Sequence, residues 1–513
     1  MRILIFHGYL LRGTGSNVYN ASLAQALARL GHDVHLLCQD RQARDLDWVD
    51  RVGRWSNGRL EVEPRDGSRA GTVTVYVPEI GDLLPVYVDD PYDGFRVKTF
   101  AELTEPELDA YLEANVAAVR EVVGALGGVD VALANHLVMG PAILARAGLA
   151  FAAKIHGSAL EYTVKPEPQR FLPYAREGVE AASGVLVGSR HTAESLWEAI
   201  GDPDLKAKTR LGPPGVDTHL FSPVPRSKAA ARLRGLASSI RDLPGAGSAW
   251  DRDPQRATEA IEHFAAAEGP RVVLVGKMIV SKGVDLLLAA WPLVHRANPG
   301  ARLLVVGFGE YEAALRRLWG SLEQVELSVA REIASLGRGL EGGEESPLPI
   351  LGAFLAAPPS GYETAAAEAA GSVAFAGRLE HGEVGGLVPA ADALVFPSTF
   401  PEAFGMVAAE AAAAGVPPVS AGHSGAAEVS RALAASLPPE IAGLVSFPVD
   451  ERAVLGIAER LNAWLGMDED ARQRARSILA ETSGRLWSWE GVARGVLAAS
   501  AGQLDELPRV PED

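Results

Sequence analysis

Residues 2–38 read RILIFHGYLLRGTGSNVYNASLAQALARLGHDVHLLC and combine two apolar runs with a helical period between them. The first run, residues 2–6, predicts a buried strand, and a glycine-containing loop over residues 8–15 follows it. Apolar residues then recur at helical spacing up to Gly31, which is a helix stop, and residues 34–38 predict a second buried strand. The segment therefore predicts a strand–helix–strand unit of the kind that builds parallel sheets.

The same alternation continues along the chain, in two halves. Strands are predicted at 73–77, 130–134, 151–155 and 185–187, with a helix at 105–126. A hinge is predicted at residues 211–215, LGPPG, and strands restart at 272–275, 303–306, 373–376 and 393–396. Helices are predicted at 285–294, from 311 to 318, over 222–270 apart from 244–254, and over 469–501. Because 513 residues exceed one ordinary domain, the pattern indicates two α/β domains.

Composition narrows the classes of function. The net charge is −17, from 48 Lys and Arg against 65 Asp and Glu, and no local basic patch offsets it, so nucleic acid is not an expected partner. The one cysteine, Cys38, permits no intramolecular disulfide and fits a reducing cytoplasm. The first apolar run is too short for a signal peptide, and no long apolar window predicts a transmembrane segment. We expect a cytoplasmic protein, with attachment to the inner face of the membrane left open.

One segment of the second half departs from the α/β pattern. Gly, Pro and Glu dominate residues 337–361, which indicates an inserted, mobile segment outside the core. It falls within a larger predicted insertion at about 321–370, whose role as a lid, a dimer contact or a spacer is left open.

The densest chemical signal is residues 397–410, PSTFPEAFGMVAAE, directly after a predicted strand. Glu402 and Glu410 are eight residues apart, which is about 12 Å along a helix and close to the span of a nucleotide-sugar from sugar to ribose. Backbone amides at the start of the predicted helix suit a diphosphate between the two carboxylates. These amides belong to Phe404, Gly405, Met406 and Val407.

This segment resembles the E-x7-E motif of family 4 retaining glycosyltransferases. The positions that match the family are Pro397, Ser398, Glu402, Phe404, Gly405, Glu410, Gly415 and Pro417. Ala403 replaces a usual glycine and Pro418 a usual valine, which are tolerable changes. Residues 424–428, SGAAE, are similar to the Gly-Gly-x-x-Glu stretch of the family with one glycine lost.

A second match is residues 276–283, GKMIVSKG, after the first predicted strand of the second half. The family form is Gly-Arg, four residues and Lys-Gly, so Lys282 matches and Lys277 replaces the arginine, keeping the charge without its bidentate fork. The resemblance implies that both lysines stabilise the departing diphosphate electrostatically, as a metal ion does in other enzymes.

Shorter matches cover most of the remaining chain. Gly15 stands where the family has a glycine close to the donor, although Thr14 replaces its neighbour. His156 occupies the position of a histidine that reaches the donor sugar, where it could donate a hydrogen bond, and Arg378 follows the family's base-contacting position. Residues 214–217 resemble the family's hinge, and residues 489–493 resemble its closing helix.

The resemblance implies a GT-B fold, with two Rossmann-like parallel-sheet domains facing a central cleft. Residues 1–212, with the C-terminal helix at about 485–505, are expected to form the acceptor domain, and residues 213–484 the nucleotide-sugar donor domain. Closure about the hinge would bring His156 and Gly15 to the donor. The implied reaction retains the anomeric configuration, with His156, Lys277, Lys282 and Glu402 as catalytic residues and neither metal nor cofactor.

Several alternatives remain open at this point. A nucleotide-sugar epimerase has a similar two-domain fold, and a non-catalytic nucleotide-sugar-binding subunit would need the same donor residues. The donor can be a UDP-, GDP- or ADP-sugar, the acceptor can be a sugar, a small molecule or a lipid-linked group, and a homo-oligomer is not excluded. The acidic cluster Asp89, Asp90 and Asp93 is interpreted as a solvated turn rather than a metal site. The Gly13–Gly15 pair is too short a match for a dinucleotide-binding fingerprint.

Overall fold

The computed structural model describes residues 1–511, apart from residues 14, 57, 65–70, 89–91, 93 and 242–251. The chain divides into two compact units. The first comprises Met1–Gly215 and Trp487–Asp513, and the second comprises Val216–Leu486. The end of the chain therefore packs with its beginning.

The first unit is built on a nine-stranded sheet. The strands of this unit, of which all but β6 and β7 belong to that sheet, are β1 (Arg2–Phe6), β2 (Asp33–Leu37), β3 (Arg51–Ser56), β4 (Arg59–Pro64), β5 (Val73–Val77), β6 (Leu83–Val86), β7 (Arg96–Thr99), β8 (Val131–Asn135), β9 (Ala152–Ile155), β10 (Gly184–Val187) and β11 (Thr209–Leu211). The helices are α1 (Gly15–Arg29), α2 (Glu105–Leu126), α3 (Gly140–Ala147), α4 (Pro168–Ala181), α5 (Arg190–Ile200) and α6 (Leu205–Lys208), joined by α20 (Trp489–Ser500).

Neighbouring strands follow the order β11-β10-β9-β8-β1-β2-β5-β3-β4, and all pairs are parallel except β3 with β4. Strands β6 and β7 form a separate parallel pair. Because parallel strands are covered on both faces, alternate residues of β1 enter different cores. Leu4 and Phe6 pack in the core that contains residues of α2, while Ile3 and Ile5 pack with residues of α1 and α20.

The second unit has a six-stranded parallel sheet in the order β14-β13-β12-β15-β16-β17. Its strands are β12 (Arg271–Val275), β13 (Arg302–Val306), β14 (Val373–Gly377), β15 (Ala393–Phe396), β16 (Pro418–Ala421) and β17 (Ser446–Phe447). Its helices are α7 (Arg226–Arg241), α8 (Pro254–Ala265), α9 (Val284–Ala297), α10 (Glu312–Glu323), α11 (Leu327–Leu336), α12 (Pro349–Ala356), α13 (Tyr362–Glu368), α14 (His381–Leu387), α15 (Met406–Ala413), α16 (Ser424–Ala434), α17 (Pro439–Ala442), α18 (Ala453–Leu465) and α19 (Glu469–Leu486).

The interpretation of residues 337–361 as a segment outside the core is wrong. This stretch includes α12, whose Leu351 and Leu355 are fully buried, and α12 contacts α9 and α18. Gly337, with a φ of 46°, is the C-cap of α11, and Pro349 lies in the first turn of α12. The Gly and Pro content therefore marks helix ends.

The predicted helical stretch over 469–501 is two helices in the structure. Helix α19 ends at Leu486, and α20 begins again at Trp489 after an N-cap at Ser488. The Ser488 hydroxyl accepts a hydrogen bond from the Gly491 amide, which satisfies an otherwise unpaired donor of the new helix.

Candidate functional site

The sheet of the second unit reverses its strand order beside β12. The chain proceeds from β12 to β13 and β14 on one side and then places β15 on the other. Ligands of parallel α/β folds bind outside the carboxyl ends of strands at such a switch point. The loops after β12 and β15, residues 276–283 and 397–405, both leave from this edge.

These two loops are in close contact. The Thr399 amide donates a 2.8 Å hydrogen bond to the Ser281 carbonyl oxygen. Gly283 has a φ of +63°, and a Cβ atom there would lie 2.1 Å from the Pro397 carbonyl oxygen. Only glycine permits both this backbone conformation and this approach.

The contact brings Lys282 and Glu402 together. The Lys282 Nζ atom lies 2.5 Å from Glu402 Oε1, with 26% and 19% of the respective side chains exposed. The Ser398 hydroxyl lies 2.6 Å from the same carboxylate oxygen, its nearest acceptor. A half-buried carboxylate is thus held by an ammonium group and a hydroxyl group at the edge of the sheet.

Further bonds hold the backbone of this loop. The Glu402 amide donates to Ser424 Oγ over 2.8 Å, and the Gly425 amide donates to the Glu402 carbonyl oxygen over 2.9 Å. His423 Nε2 lies 2.8 Å from the Ser398 carbonyl oxygen. The start of α16 therefore fixes the loop that carries Glu402.

Glu410 lies on α15 and is only 5% exposed. His381 Nε2, at the start of α14, is 2.8 Å from Glu410 Oε1. Burial lowers the pKa of His381, but the Glu410 carboxylate, with Asp217 and Glu380, outweighs that effect, and the pKa is raised above its ordinary value. The raised pKa favours the protonated imidazole of His381, the form that pairs with the Glu410 carboxylate.

The helix between the two glutamates is shorter than expected. It begins at Met406 rather than near Phe404, so half of the spacing from Glu402 to Glu410 lies outside it and the helical distance of about 12 Å does not apply. Gly405 is the N-cap and brings no capping side chain to the first amides. Gly405, Met406 and Val407 thus lie at a helix N-terminus, where an anion is stabilised.

Lys277 shares the loop of Lys282, and Arg378 lies on another loop of the same edge. Lys277 is half-buried in the loop after β12, and Arg378 follows β14. Arg378 is paired with Glu380 over 2.9 Å, and its guanidinium lies 5.6 Å from the centre of the Phe308 ring. The structure therefore places every predicted donor residue except Gly15 on the second unit.

His156 and Gly15 belong to the first unit. The His156 Nε2 atom is 2.8 Å from Asn135 Oδ1, and the Asn135 amide nitrogen donates to the Phe6 carbonyl oxygen. The second bond fixes the Asn135 oxygen toward the ring, so Nε2 carries the proton. Burial, with the nearby His136, lowers the pKa of His156 well below its ordinary value.

The predicted contact of His156 with the donor sugar stays a prediction, and the bond to Asn135 bears on which ring nitrogen would make it. Its Nε2 proton is committed to Asn135, so the remaining ring nitrogen, Nδ1, accepts hydrogen bonds rather than donates them. Gly15, the first residue of α1, is exposed. The adjacent Thr14 and the acidic residues Asp89, Asp90 and Asp93 lie outside the described residues.

Sequence reasoning missed His381, His423 and Asn135. Each contacts a partner at least 21 residues away in the sequence, so no local motif indicated the contact. The sequence positions of the two histidines could have indicated them, because His381 comes shortly after Arg378 and His423 directly precedes the quoted stretch 424–428.

The described residues include no cluster of three His, Cys, Asp or Glu side chains suited to a metal ion. Within the same ranges, no helix combines the length and apolar character that crossing a bilayer requires.

Comparisons with known proteins identify the family of the chain. A glycosyl transferase 4-like domain model matches residues 14–207, and two models of glycosyl transferases group 1 match residues 269–337 and 361–477. A GDP-mannose-dependent alpha-(1-6)-phosphatidylinositol monomannoside mannosyltransferase of Mycobacterium tuberculosis is 26% identical, over 49% of this chain and 56% of that protein. A D-inositol 3-phosphate glycosyltransferase of Xylanimonas cellulosilytica is 26% identical, over 69% of this chain and 66% of that protein. The chain spans about half the length of most curated relatives it matches.

Solved structures match the whole chain. Sucrose-phosphate synthase from Thermosynechococcus elongatus has a TM-score of 0.57 at 19% identity, covering 98% of each chain. Anabaena HepE in complex with UDP and glucose has a TM-score of 0.56 at 16% identity, covering 99% of this chain and 100% of that one. These likenesses confirm the predicted GT-B fold. The family models, which match residues 14–207, 269–337 and 361–477, show that the chain belongs to the group 1, family 4-like glycosyltransferases.

Proposed function

We propose that this chain is a retaining glycosyltransferase that moves a hexose from a nucleotide-sugar to an acceptor hydroxyl group. The observation that carries the proposal is the Lys282–Glu402 pair, 2.5 Å apart, beside the N-terminus of α15. An ammonium group, a carboxylate and open helix amides at one sheet edge suit a sugar diphosphate, which presents hydroxyl groups and negative charge together.

Each donor residue has a distinct role in this proposal. Lys277, Lys282 and the start of α15 hold the diphosphate, Glu402 orients the sugar, and the backbone at Arg378 contacts the base. Glu410 binds the ribose, because its pairing with His381 uses one oxygen and a carboxylate has about four acceptor positions. Lys282 likewise has three N–H donors, so its bond to Glu402 leaves others for phosphate.

The chemical step needs no carboxylate nucleophile. The bond between the anomeric carbon and the diphosphate oxygen breaks, and the acceptor oxygen bonds to that carbon on the same face. The acceptor's proton moves to the departing phosphate. Lys277 and Lys282 stabilise the negative charge that develops on the leaving group, which is the role of a metal ion elsewhere. Turnover is therefore expected to persist in excess EDTA.

The acceptor is proposed to bind the first unit, as a sugar, a small molecule or a lipid-linked group. His156 Nδ1 is suited to accept a hydrogen bond from a sugar hydroxyl, and the exposed Gly15 permits close backbone approach. The curated relatives include GDP-mannose-dependent enzymes, and HepE was crystallised with UDP, so the donor panel spans several bases.

A thermal-shift screen of the full chain tests donor binding. UDP-glucose, GDP-mannose and ADP-glucose are compared at equal concentration, and one is expected to raise the apparent melting temperature. A ligand at a hundred times its Kd stabilises the folded state by about 2.7 kcal/mol. No stabilisation by any nucleotide-sugar in a widened panel would contradict the proposal.

Incubation with the stabilising donor alone separates the enzyme classes. A transferase leaves the donor's sugar configuration unchanged and at most hydrolyses it slowly, whereas an epimerase converts it without an acceptor. Binding without turnover on any acceptor would instead indicate a non-catalytic subunit.

A further inference from the structure

Ser424 adopts a backbone conformation that side-chain-bearing residues rarely occupy. Its φ is 52°, in the left-handed region, which costs about 1 kcal/mol for a residue other than glycine. The stretch that begins here resembles one in which the family has glycine. A serine at this position therefore requires a compensating interaction.

The Ser424 hydroxyl supplies that interaction, away from its own helix. Its Oγ accepts the 2.8 Å bond from the Glu402 amide and lies 3.2 Å from His423 Nδ1. The N-cap of α16 is His423, and no side-chain capping bond is present there. Stabilising α16 is thus not what the Ser424 hydroxyl does.

The bonds close into a ring around Glu402. His423 Nε2 must donate, because its partner is the Ser398 carbonyl oxygen, so Nδ1 accepts and the Ser424 hydroxyl donates to it. The Ser398 hydroxyl then donates to the Glu402 carboxylate over 2.6 Å. The ring thus joins the backbone amide of Glu402 to its own carboxylate through three other residues.

We propose that Ser424 and His423 are positioning residues that hold Glu402 in the orientation that binds the donor sugar. The inference rests on the proposed function, since Glu402 is the residue assigned to the sugar. Neither side chain is required to touch the donor. Their effect is to restrict the Glu402 side chain before the donor arrives, because both ends of that residue are tied to one hydrogen-bonded ring.

The test uses Ser424→Gly and Ser424→Ala in the full chain, with Ser430→Ala as the matched control. Ser430 lies on the same helix and is buried, and its hydroxyl bonds to the Ala426 carbonyl oxygen. Both Ser424 variants are expected to lower kcat about tenfold or more while leaving affinity for the free nucleoside diphosphate unchanged, because the ring acts on the sugar end.

Two readouts separate positioning from a general structural role. Ser424→Gly relieves the left-handed strain, so its melting temperature should equal or exceed that of Ser424→Ala although its turnover is low. The decrease in kcat caused by the Ser424 variants should also be non-additive with that of Glu402→Gln, because both changes act through the Glu402 carboxylate. Wild-type turnover in Ser424→Gly, or full additivity in the double variant, would overturn the inference.

A crystal structure of Ser424→Gly without ligand provides a test that needs no donor. A displaced or disordered Glu402 side chain is expected, and a Glu402 superimposable on the wild type would refute the positioning role. This comparison stays decisive if the wild type binds no nucleotide-sugar, a result that would refute the proposed function alone.

Discussion

Asp285 is a buried ionisable residue two positions after Gly283. It lies in the first turn of α9, is 3% exposed, and interacts electrostatically with Tyr311. Burial raises the pKa of Asp285 to about 7, although the amides of Asp285 and Leu286 partly oppose this change. The neutral carboxylic acid is therefore the form that the fold favours.

The raised pKa of Asp285 makes the stability of the fold depend on pH. The unfolded chain ionises Asp285 near pH 4 and the folded chain near pH 7, so the free energy of unfolding decreases as pH rises between these values. Asp285→Asn should remove that decrease. Its free energy of unfolding should therefore rise relative to that of the wild type by up to about 1.4 kcal/mol per pH unit in this window.

Urea denaturation at several pH values between 4 and 8 measures the effect, with Asp470→Asn as the exposed control in the first turn of α19. A constant difference between Asp285→Asn and the wild type across the window would contradict the expectation.

At the scale of elements, the contact between the loops after β12 and β15 creates the site. Gly283→Ala would place a Cβ atom 2.1 Å from the Pro397 carbonyl oxygen, in addition to the strain of a φ of +63°. Because two backbone segments must separate, we expect a loss of more than about 2 kcal/mol in stability together with weaker donor binding.

Gly371→Ala is the matched control for this change. Gly371 has a φ of +72°, but a Cβ atom there meets nothing within 4 Å. It should therefore show only the cost of the backbone conformation, about 1 kcal/mol, with donor affinity unchanged. Equal losses in calorimetric stability and in donor affinity for both variants would show that the loop contact is unimportant.

The elements themselves were largely predictable. Helix α2 was predicted with its observed bounds, 105–126, and in the structure a capping box of Thr104 and Glu107 begins it and Gly127, in the left-handed conformation, ends it. The hairpin of β3 and β4 was missed, because its exposed, charge-rich strands lack the buried apolar run of the central strands. Helix α12 was missed because flanking Gly and Pro residues obscured its apolar face.

At the scale of the whole molecule, two α/β units and their order along the chain followed from the repeated strand–helix rhythm. The contacts within the site depend on tertiary structure and could not be predicted this way. Lys282 and Glu402 are 120 residues apart, and only the adjacency of β12 and β15 brings them together. The partnership of His381 with Glu410 and the tautomer of His156 likewise depend on contacts that local periodicity does not encode.

In the proposed function, Lys282 and Glu410 bind different parts of one nucleotide-sugar. The most direct measurement is calorimetric titration of the full chain with the stabilising donor, combined with turnover for Lys282→Ala and Glu410→Ala. Lys165→Ala is the control, because Lys165 pairs with Glu161 on the first unit. We predict at least about tenfold weaker donor binding for Glu410→Ala and at least about tenfold lower turnover for Lys282→Ala. Wild-type affinity and turnover in both variants would contradict this prediction.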